Sequence, residues 1–290
     1  MGVNIQWFPG HMAKAIRQFE ENISLVDIVF EIVDARVPLS SMNPEVARIS
    51  KNQPHLYIMT KRDLADENMT KKWLDYFKSI NQPAIAIDTK SKFSSNDIVK
   101  VIEPILREKL EREQAKGMKK RPIRAITVGV PNVGKSTVLN RLVKRRAAQV
   151  GNRPGVTKGQ QWLKAGSQLE LLDTPGILWP KFETQLQADK LALTGAIKEG
   201  IYHNDDVALY AIDFFRKYHK KQLMNRYHLN DVDLGLSNPD LLLKITKNLG
   251  MKDDFEKASV RVIQDVRNNK ITRFTLDDVE EVSLNNEKNN

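Results

Sequence analysis

The chain contains no cysteine, which excludes disulfides and thiolate metal sites and suits a reducing cytosol. No apolar run approaches 18 residues, so no membrane-spanning helix is expected. The N-terminus lacks a basic-then-apolar leader pattern, and Gln6 stands where a myristoylation signal beginning Met1-Gly2 needs Ser or Thr. Acidic residues are missing locally: from Gln114 to Leu169 there is none, against 13 Lys and Arg. These absences describe a soluble, cytoplasmic chain with a strongly positive middle.

The net charge of +10 is unevenly placed. Residues 1–180 hold 29 Lys and Arg against 18 Asp and Glu, and residues 181–290 hold 17 against 18. A field of that kind favours a polyanion, most simply nucleic acid, although a solvated basic face is the plain alternative. With 41% apolar residues over 290 positions, the chain can bury one large core or two modest ones.

The most specific motif lies mid-chain. Gly129-Val130-Pro131-Asn132-Val133-Gly134-Lys135-Ser136 matches a phosphate-binding loop. Ile123 to Val128 reads as a buried strand entering it, and Ser136 to Val143 as a helix leaving it. Strand, glycine turn and helix present a row of backbone N–H groups to an anion. Asn132, Val133, Gly134, Lys135, Ser136 and Thr137 would line the phosphates, with Lys135 on the β- and γ-phosphates and the Ser136 hydroxyl on Mg²⁺. Lys119-Lys120-Arg121 and Lys144-Arg145-Arg146 are expected to surround this loop with positive charge.

Other apolar runs also end in nucleotide chemistry. Leu56 to Met59 leads into Thr60-Lys61-Arg62-Asp63, a base-reading tetrad in which Asp63 accepts both guanine donors and Lys61 packs over the base. Ala84 to Ile87 leads into Asp88-Thr89-Lys90, a candidate contact for guanine O6. Leu169 to Leu172 leads into Asp173-Thr174-Pro175-Gly176, where Asp173 would serve Mg²⁺ and the Gly176 N–H would sense the γ-phosphate. Thr157, in Gly155-Val156-Thr157, supplies a switch residue for Mg²⁺. Alternating strands and helices up to Pro180 predict a mostly parallel sheet covered on both faces. Beyond it the pattern is helical: Gln187 to Lys198, Asp205 to Lys220, Pro239 to Leu249 and Asp253 to Asn268. In the last of these, Phe255, Ala258, Val262, Ile263 and Val266 share one face. Lys257 and Arg261 fall opposite, followed by Arg267, Lys270 and Arg273, as candidate RNA contacts or a solvated face.

The motif order is base tetrad, base loop, phosphate loop, switch I, switch II. It is the ordinary GTPase order cut and rejoined, so the sequence resembles the circularly permuted GTPases. Gln6-Trp7-Phe8-Pro9-Gly10-His11-Met12-Ala13-Lys14-Ala15 and Asp34-Ala35-Arg36 are similar to motifs of the bacterial ribosome biogenesis GTPase A family. The resemblance implies a permuted Ras-like P-loop GTPase domain over 1–180, a smaller all-α RNA- or ribosome-binding domain over 181–285, and a frayed tail at 286–290. It implies GTP and GDP, Mg²⁺ and K⁺ as ligands, and the large (50S) ribosomal subunit or its precursor, with its 23S rRNA, as partner in a late maturation step. No membrane or DNA partner is implied. Lys144, Arg145, Arg146, Lys257 and Arg261 are the candidate RNA-binding residues. Thr60 departs from the family's more usual Asn but keeps a hydroxyl to tie the tetrad to the phosphate loop.

Catalysis poses a difficulty. Ile177 follows Gly176 where Ras-type GTPases carry a water-positioning glutamine, and isoleucine has neither donor nor acceptor. Three substitutes stand open: His11, which the resemblance places near the γ-phosphate unless it merely caps the helix beginning near Met12; a potassium ion held by Asn132; or a ribosomal group. Two further readings also stand. A P-loop kinase or ATPase leaves Asp63 unexplained, and a GTP-regulated RNA- or protein-binding module would make hydrolysis incidental.

Overall fold

Short apolar runs assemble into one sheet, with a mostly exposed strand at one edge. In the computed structural model, which describes residues 10–88, 93–144, 161–179, 181–252, 254–280 and 282, the strands are β1 (Ile28–Asp34), β2 (His55–Thr60), β3 (Ala84–Ala86), β4 (Ile123–Gly129), β5 (Gln161–Lys164) and β6 (Leu169–Asp173). Their order is β3-β2-β1-β4-β6-β5. All pairings are parallel except β5 with β6. The first three strands step outward on one side of β1, and the chain then returns to build β4, β6 and β5 on the other. The strand order therefore reverses between β1 and β4, where open α/β sheets place their ligands.

Helices α1 (Gly10–Asn22), α2 (Pro44–Ile49), α3 (Glu67–Ser79), α4 (Ser95–Ala115) and α5 (Lys135–Val143) cover the sheet. Ala15 and Phe19 of α1 and Val46 of α2 pack with Val29, Ile126, Val128 and Leu172 on one face. Trp73 and Phe77 of α3 pack with Val33, Tyr57 and Met59 further along that face. Crossovers into β4 and β6 run in the reverse direction, so right-handedness assigns α4 and α5 to the opposite face. Ile28, Phe30, Ile32, Ala125 and Leu171 are buried there.

Two compact units divide the chain, one of which holds Lys181–Leu276. In it α7 (Asn204–Tyr218) lies against α6 (Gln185–Thr194), α8 (Lys220–Tyr227), α9 (Asn238–Asn248) and α10 (Phe255–Arg267). Its core includes Ala211, Phe215, Leu241, Ile245, Val262 and Val266. Phe255 departs from its expected place. It starts α10 at the end of the apolar stripe and is 39% exposed.

The expected helical span of 181–285 runs too far. Asp277 belongs to the sheet unit, where its carboxylate accepts from the Ser40 N–H and hydroxyl, both at 2.7 Å. The Trp73 indole donates to the Asp277 carbonyl at 3.2 Å, and Val282 joins the α3 cluster. A carboxylate buried against two donors holds this return segment more firmly than its polar composition suggests.

At the strands' N-terminal edge, Asp27 is buried and gathers Arg121 at 2.7 Å, Lys109 at 2.6 Å and the Arg124 N–H at 2.9 Å. Burial alone would raise its carboxyl, but these donors bring it down to about 2. A depressed folded value contributes stability above the unfolded pKa, and that contribution is lost as pH falls toward 2. Asp27→Asn should therefore lower stability by about 2 kcal/mol at pH 7, between a surface and a fully buried pair. Thermal unfolding at pH 7 and pH 3 checks this: the gap between wild type and variant should narrow at the lower pH.

Candidate nucleotide site

β4 delivers Gly129 to the reversal point. A Cβ there would stand 2.5 Å from the Ile32 carbonyl of β1, so only glycine allows the two strands to lie this close. Asn132 at φ 57 and Gly134 at φ 102 take left-handed conformations, which turn successive N–H groups toward a common concavity. α5 begins at Lys135 with Gly134 as its cap, so the helix N-terminus adds its partial positive charge. Ser136 and Thr137 occupy its first turn, half-buried.

Lys135 is buried, and its ammonium pairs with the Asp173 carboxylate at the end of β6. Burial lowers the lysine's pKa, and the Asp173 charge opposes that shift. The second oxygen of Asp173, Oδ2, is buried without a hydrogen-bond partner. An acceptor-only group left so calls for a cation or a water held by one. Asp173 and Ser136 thus fit a Mg²⁺ site of the kind that takes its remaining ligands from phosphates and water. Among the described residues no cluster of three His, Asp or Glu could hold a metal unaided.

The tetrad expected to read the base is built on the end of β2. The Thr60 hydroxyl donates to the Val133 carbonyl, binding the tetrad to a phosphate loop 73 residues away in sequence. Lys61 adopts φ 57 and opens a short 3₁₀ turn, Arg62–Leu64. The Arg62 N–H donates to the Ile87 carbonyl at 3.2 Å, which aligns the turn with the loop carrying Asp88. Asp63 is half-buried and makes no side-chain hydrogen bond or ion pair with the described residues.

A buried charge cluster supports this end. Asp34 closes β1 and accepts from Arg36 Nε at 2.9 Å and Nη2 at 2.7 Å, and from the Lys61 ammonium at 2.8 Å. Burial alone would raise Asp34, but the charges of Arg36 and Lys61 hold its carboxyl well below the usual carboxylate range. The Asp34-Ala35-Arg36 signature thereby fixes the tetrad lysine, a role that the motif did not reveal as sequence.

The segment expected to be switch II is pinned on several sides. The Thr174 hydroxyl donates to the Thr127 carbonyl at 2.6 Å. The Ile177 N–H donates to Gly129 O at 3.0 Å. A Cβ on Gly176 would meet the Pro131 backbone at 3.1 Å. Asn43, buried at the start of α2, donates from Nδ2 to the Ile177 carbonyl at 3.2 Å, while its own N–H donates to Glu31 at 3.0 Å. In the sequence Asn43 signals only a helix cap before Pro44. The Ile177 side chain lies in the α1 cluster, so it is core and not a group facing substrate. His11 lies inside the first turn of α1, which starts at Gly10, and its side chain is outside the described residues.

Thr89, Arg145, Arg146 and Thr157 also lie outside the described residues. Lys144 ends α5 in a left-handed conformation. Lys119-Lys120-Arg121 does not surround the phosphate loop. It precedes β4 at the strand's opposite end, about 20 Å away for a seven-residue strand, and Arg121 is paired with Asp27 and Glu113. Lys257 is exposed. Arg261 pairs with buried Asp265 at 3.1 Å, beside Arg226 at 2.6 Å. Arg267 is structural as well, donating to the Leu193 and Ala192 carbonyls that end α6.

The family model described as 50S ribosome-binding GTPase matches residues 124–247. That match opens on β4 and leaves the upstream tetrad outside, as a permuted order requires of a model written in the ordinary one. The chain is 46% identical over 289 residues to ribosome biogenesis GTPase A of Priestia megaterium, covering 96% of this chain and 98% of that protein. It is 45% identical to that of Bacillus cereus, covering 96% and 95%. Among solved structures, GNP-bound YlqF from Thermotoga maritima shares the fold at a TM-score of 0.62 and 23% identity, covering 92% of this chain and all of that one. A GDP-bound YlqF structure gives 0.65 at the same identity, covering 91% and 100%.

Thr60→Val should leave the Val133 carbonyl without its donor and weaken GTP binding about tenfold, from a cost of about 1–3 kcal/mol. Thr60→Ser should bind as the parent does. Fluorescent-nucleotide titration of the two variants makes the comparison, and equal loss in both would place the effect in packing instead.

Proposed function

Since the chain belongs to the ribosome biogenesis GTPase A family, we propose that it binds the large (50S) ribosomal subunit or its precursor in the GTP state, promotes a late maturation step there, and leaves after hydrolysis. It is a GTPase of ribosome assembly by family; the particle, the step and the nucleotide gate are proposed. The observation that carries it is the Thr60–Val133 contact, which joins base reading to phosphate binding in one site. The 23S rRNA would be the polyanion met by basic residues of this chain, with Lys144, Arg145, Arg146 and Lys257 as candidates, in a cytoplasmic setting.

Asn132, Val133, Gly134, Lys135, Ser136 and Thr137 would hold the phosphates, with Thr60, Lys61, Arg62, Asp63, Asp88 and Thr89 around the base. Ser136, Thr157 and Asp173 would hold Mg²⁺, which neutralises charge between the β- and γ-phosphates. Lys135, now paired with Asp173, would exchange that partner for a phosphate oxygen. Ile177 cannot orient water, so hydrolysis should be slow alone, about 10⁻³ s⁻¹ or less, and faster on the particle. His11, a K⁺ ion held by Asn132 or a group of the particle would serve the water, and His11 is the candidate side chain of this chain. For K⁺ the described residues supply one half-buried donor, Asn132, so exchange of K⁺ for Na⁺ is the direct test of that ligand.

Guanine choice rests on Asp63. Asp63→Asn should lose GTP by roughly 2–5 kcal/mol of charge-assisted contact and gain xanthosine nucleotides. Unchanged GTP affinity in that variant would overturn the assignment of the base site.

Subunit binding should require GTP or a non-hydrolysable analogue, be released by GDP, and fall steeply with salt as counterions are released. Sucrose-gradient cosedimentation reads this, and equal binding in every nucleotide state removes the gate. On the same particles His11→Ala should retain GTP affinity while reducing stimulated turnover far more than intrinsic turnover, as for a group acting only in the transition state. Weaker nucleotide binding or a lower Tm in that variant would assign His11 to helix structure.

A further inference from the structure

One corner of the sheet unit is left bare. Arg124 of β4, Glu170 of β6 and Lys164 of β5 stand in a single cross-strand row, fixed by the pairings Arg124 with Glu170 and Lys164 with Glu170. Trp162 is two residues along β5 and therefore on the same face. This is the face that α1 and α2 cover at Ile126 and Leu172, yet Arg124, Lys164 and Trp162 are exposed, Trp162 at 42%. β5 is an outermost strand of the sheet.

The corner is ordered. Glu170 accepts from Arg124 Nε at 3.2 Å, and the same guanidinium lies 5.3 Å from the centre of the Trp162 ring. The acid is thus neutralised by the residue that supports the indole, and Lys164 has no ion pair among the described residues. No acidic residue occurs between Gln114 and Leu169.

We propose that this corner is a stacking platform for single-stranded RNA, with one base lying on the Trp162 indole and adjacent phosphates meeting Lys164 and Arg124. An aromatic ring beside cations is the arrangement that binds unpaired bases with little sequence preference. A duplex keeps its base faces inside its own stack and cannot use the ring. A protein hot spot needs an apolar core that excludes water; Leu172, the cross-strand neighbour of Trp162, is already buried, and the exposed side chains beside the ring, Arg124 and Lys164, are charged. Taking RNA as the polyanion rests on the ribosome-assembly function proposed above; the platform itself rests on the sheet register and exposure.

The full-length protein titrated with a uridine homopolymer should show quenching of tryptophan fluorescence that weakens with salt. Trp73 and Trp179 are buried, so they report little of such contact, and a Trp7→Phe background removes the fourth tryptophan of the chain. Trp162→Leu should abolish the saturable part of the quench and weaken binding of labelled RNA, measured by anisotropy, about tenfold. Trp162→Tyr should keep most of the affinity, and both variants should retain the parent's Tm and RNA-free GTP turnover. Arg124→Gln, which leaves the ring in place, should lower both affinity and the salt slope. RNA affinity unchanged in Trp162→Leu overturns the platform, as does quenching by an acidic peptide but not by RNA. If Trp162→Leu is unstable, unchanged affinity in Arg124→Gln overturns it instead. Nucleotide-gated cosedimentation of the parent would survive either result, so failure of the platform stays separate from failure of the assembly reading.

Discussion

Everything at the nucleotide site depends on one constraint: β1, β2, β3, β4 and β6 are parallel and so end at one edge of the sheet. Asp34, Thr60, Gly129 and Asp173 close four of these strands, and Ile87 continues from β3. The site needs their adjacency in space and is indifferent to the order in which the chain visits them. That is why the base tetrad can precede the phosphate loop. What the rearranged chain must supply is a bond across the reversal point, and the Thr60 hydroxyl on Val133 supplies it.

Two buried charge groups flank that bond, and their energetics differ. Asp34, Arg36 and Lys61 form a cluster whose hydrogen bonds satisfy the carboxylate, so burial is offset and the tetrad lysine is fixed. Lys135 and Asp173 are less complete, because one Asp173 oxygen has no partner. Burying an ion pair costs several kcal/mol per ion in desolvation before the attraction is counted. A complete cluster serves as scaffold, whereas an incomplete pair favours further charge: an anion for the lysine and a cation for the carboxylate. The contrast separates support from ligand site within one buried edge.

The parts of this architecture that were legible in sequence are those written by local chemistry. Apolar runs ending in Thr60-Lys61-Arg62-Asp63, Gly129 to Ser136 and Asp173 to Gly176 gave strand, loop and sheet class together. β5 was not legible: four residues with a single buried side chain, Leu163, carry too little pattern against an exposed tryptophan. Helix α8 was missed because Lys220–Tyr227 buries only Leu223 and Tyr227. Charge was the least readable property. The acid-free stretch suggested positive charge around the phosphate loop, but a linear run does not show which end of a strand it decorates. Arg121, Arg261 and Arg267 proved to be held by Asp27, Asp265 and the α6 carbonyls, partners remote from their own runs or on a neighbouring turn. Asn43 and Asp277 likewise act through contacts that only the fold creates.

The packing around Ile177 limits how switch II can work. Its N–H is held by Gly129 and its carbonyl by Asn43, and its side chain lies among Ala15, Phe19 and Val46. Leu178 and Trp179 are buried as well. In the function proposed here, freedom to follow a γ-phosphate would be concentrated at Gly176, against Pro131, and any larger movement must pull the Ile177 side chain from a packed core. Removing even one large side chain from such a core costs about 2–5 kcal/mol, so the segment has discrete arrangements and no gradual drift. α1 shares this cluster, so a movement that displaces Ile177 must also displace the helix bearing His11. In the function proposed here, hydrolytic competence would change together with the arrangement of Ile177, because the same few apolar contacts hold the helix and the segment.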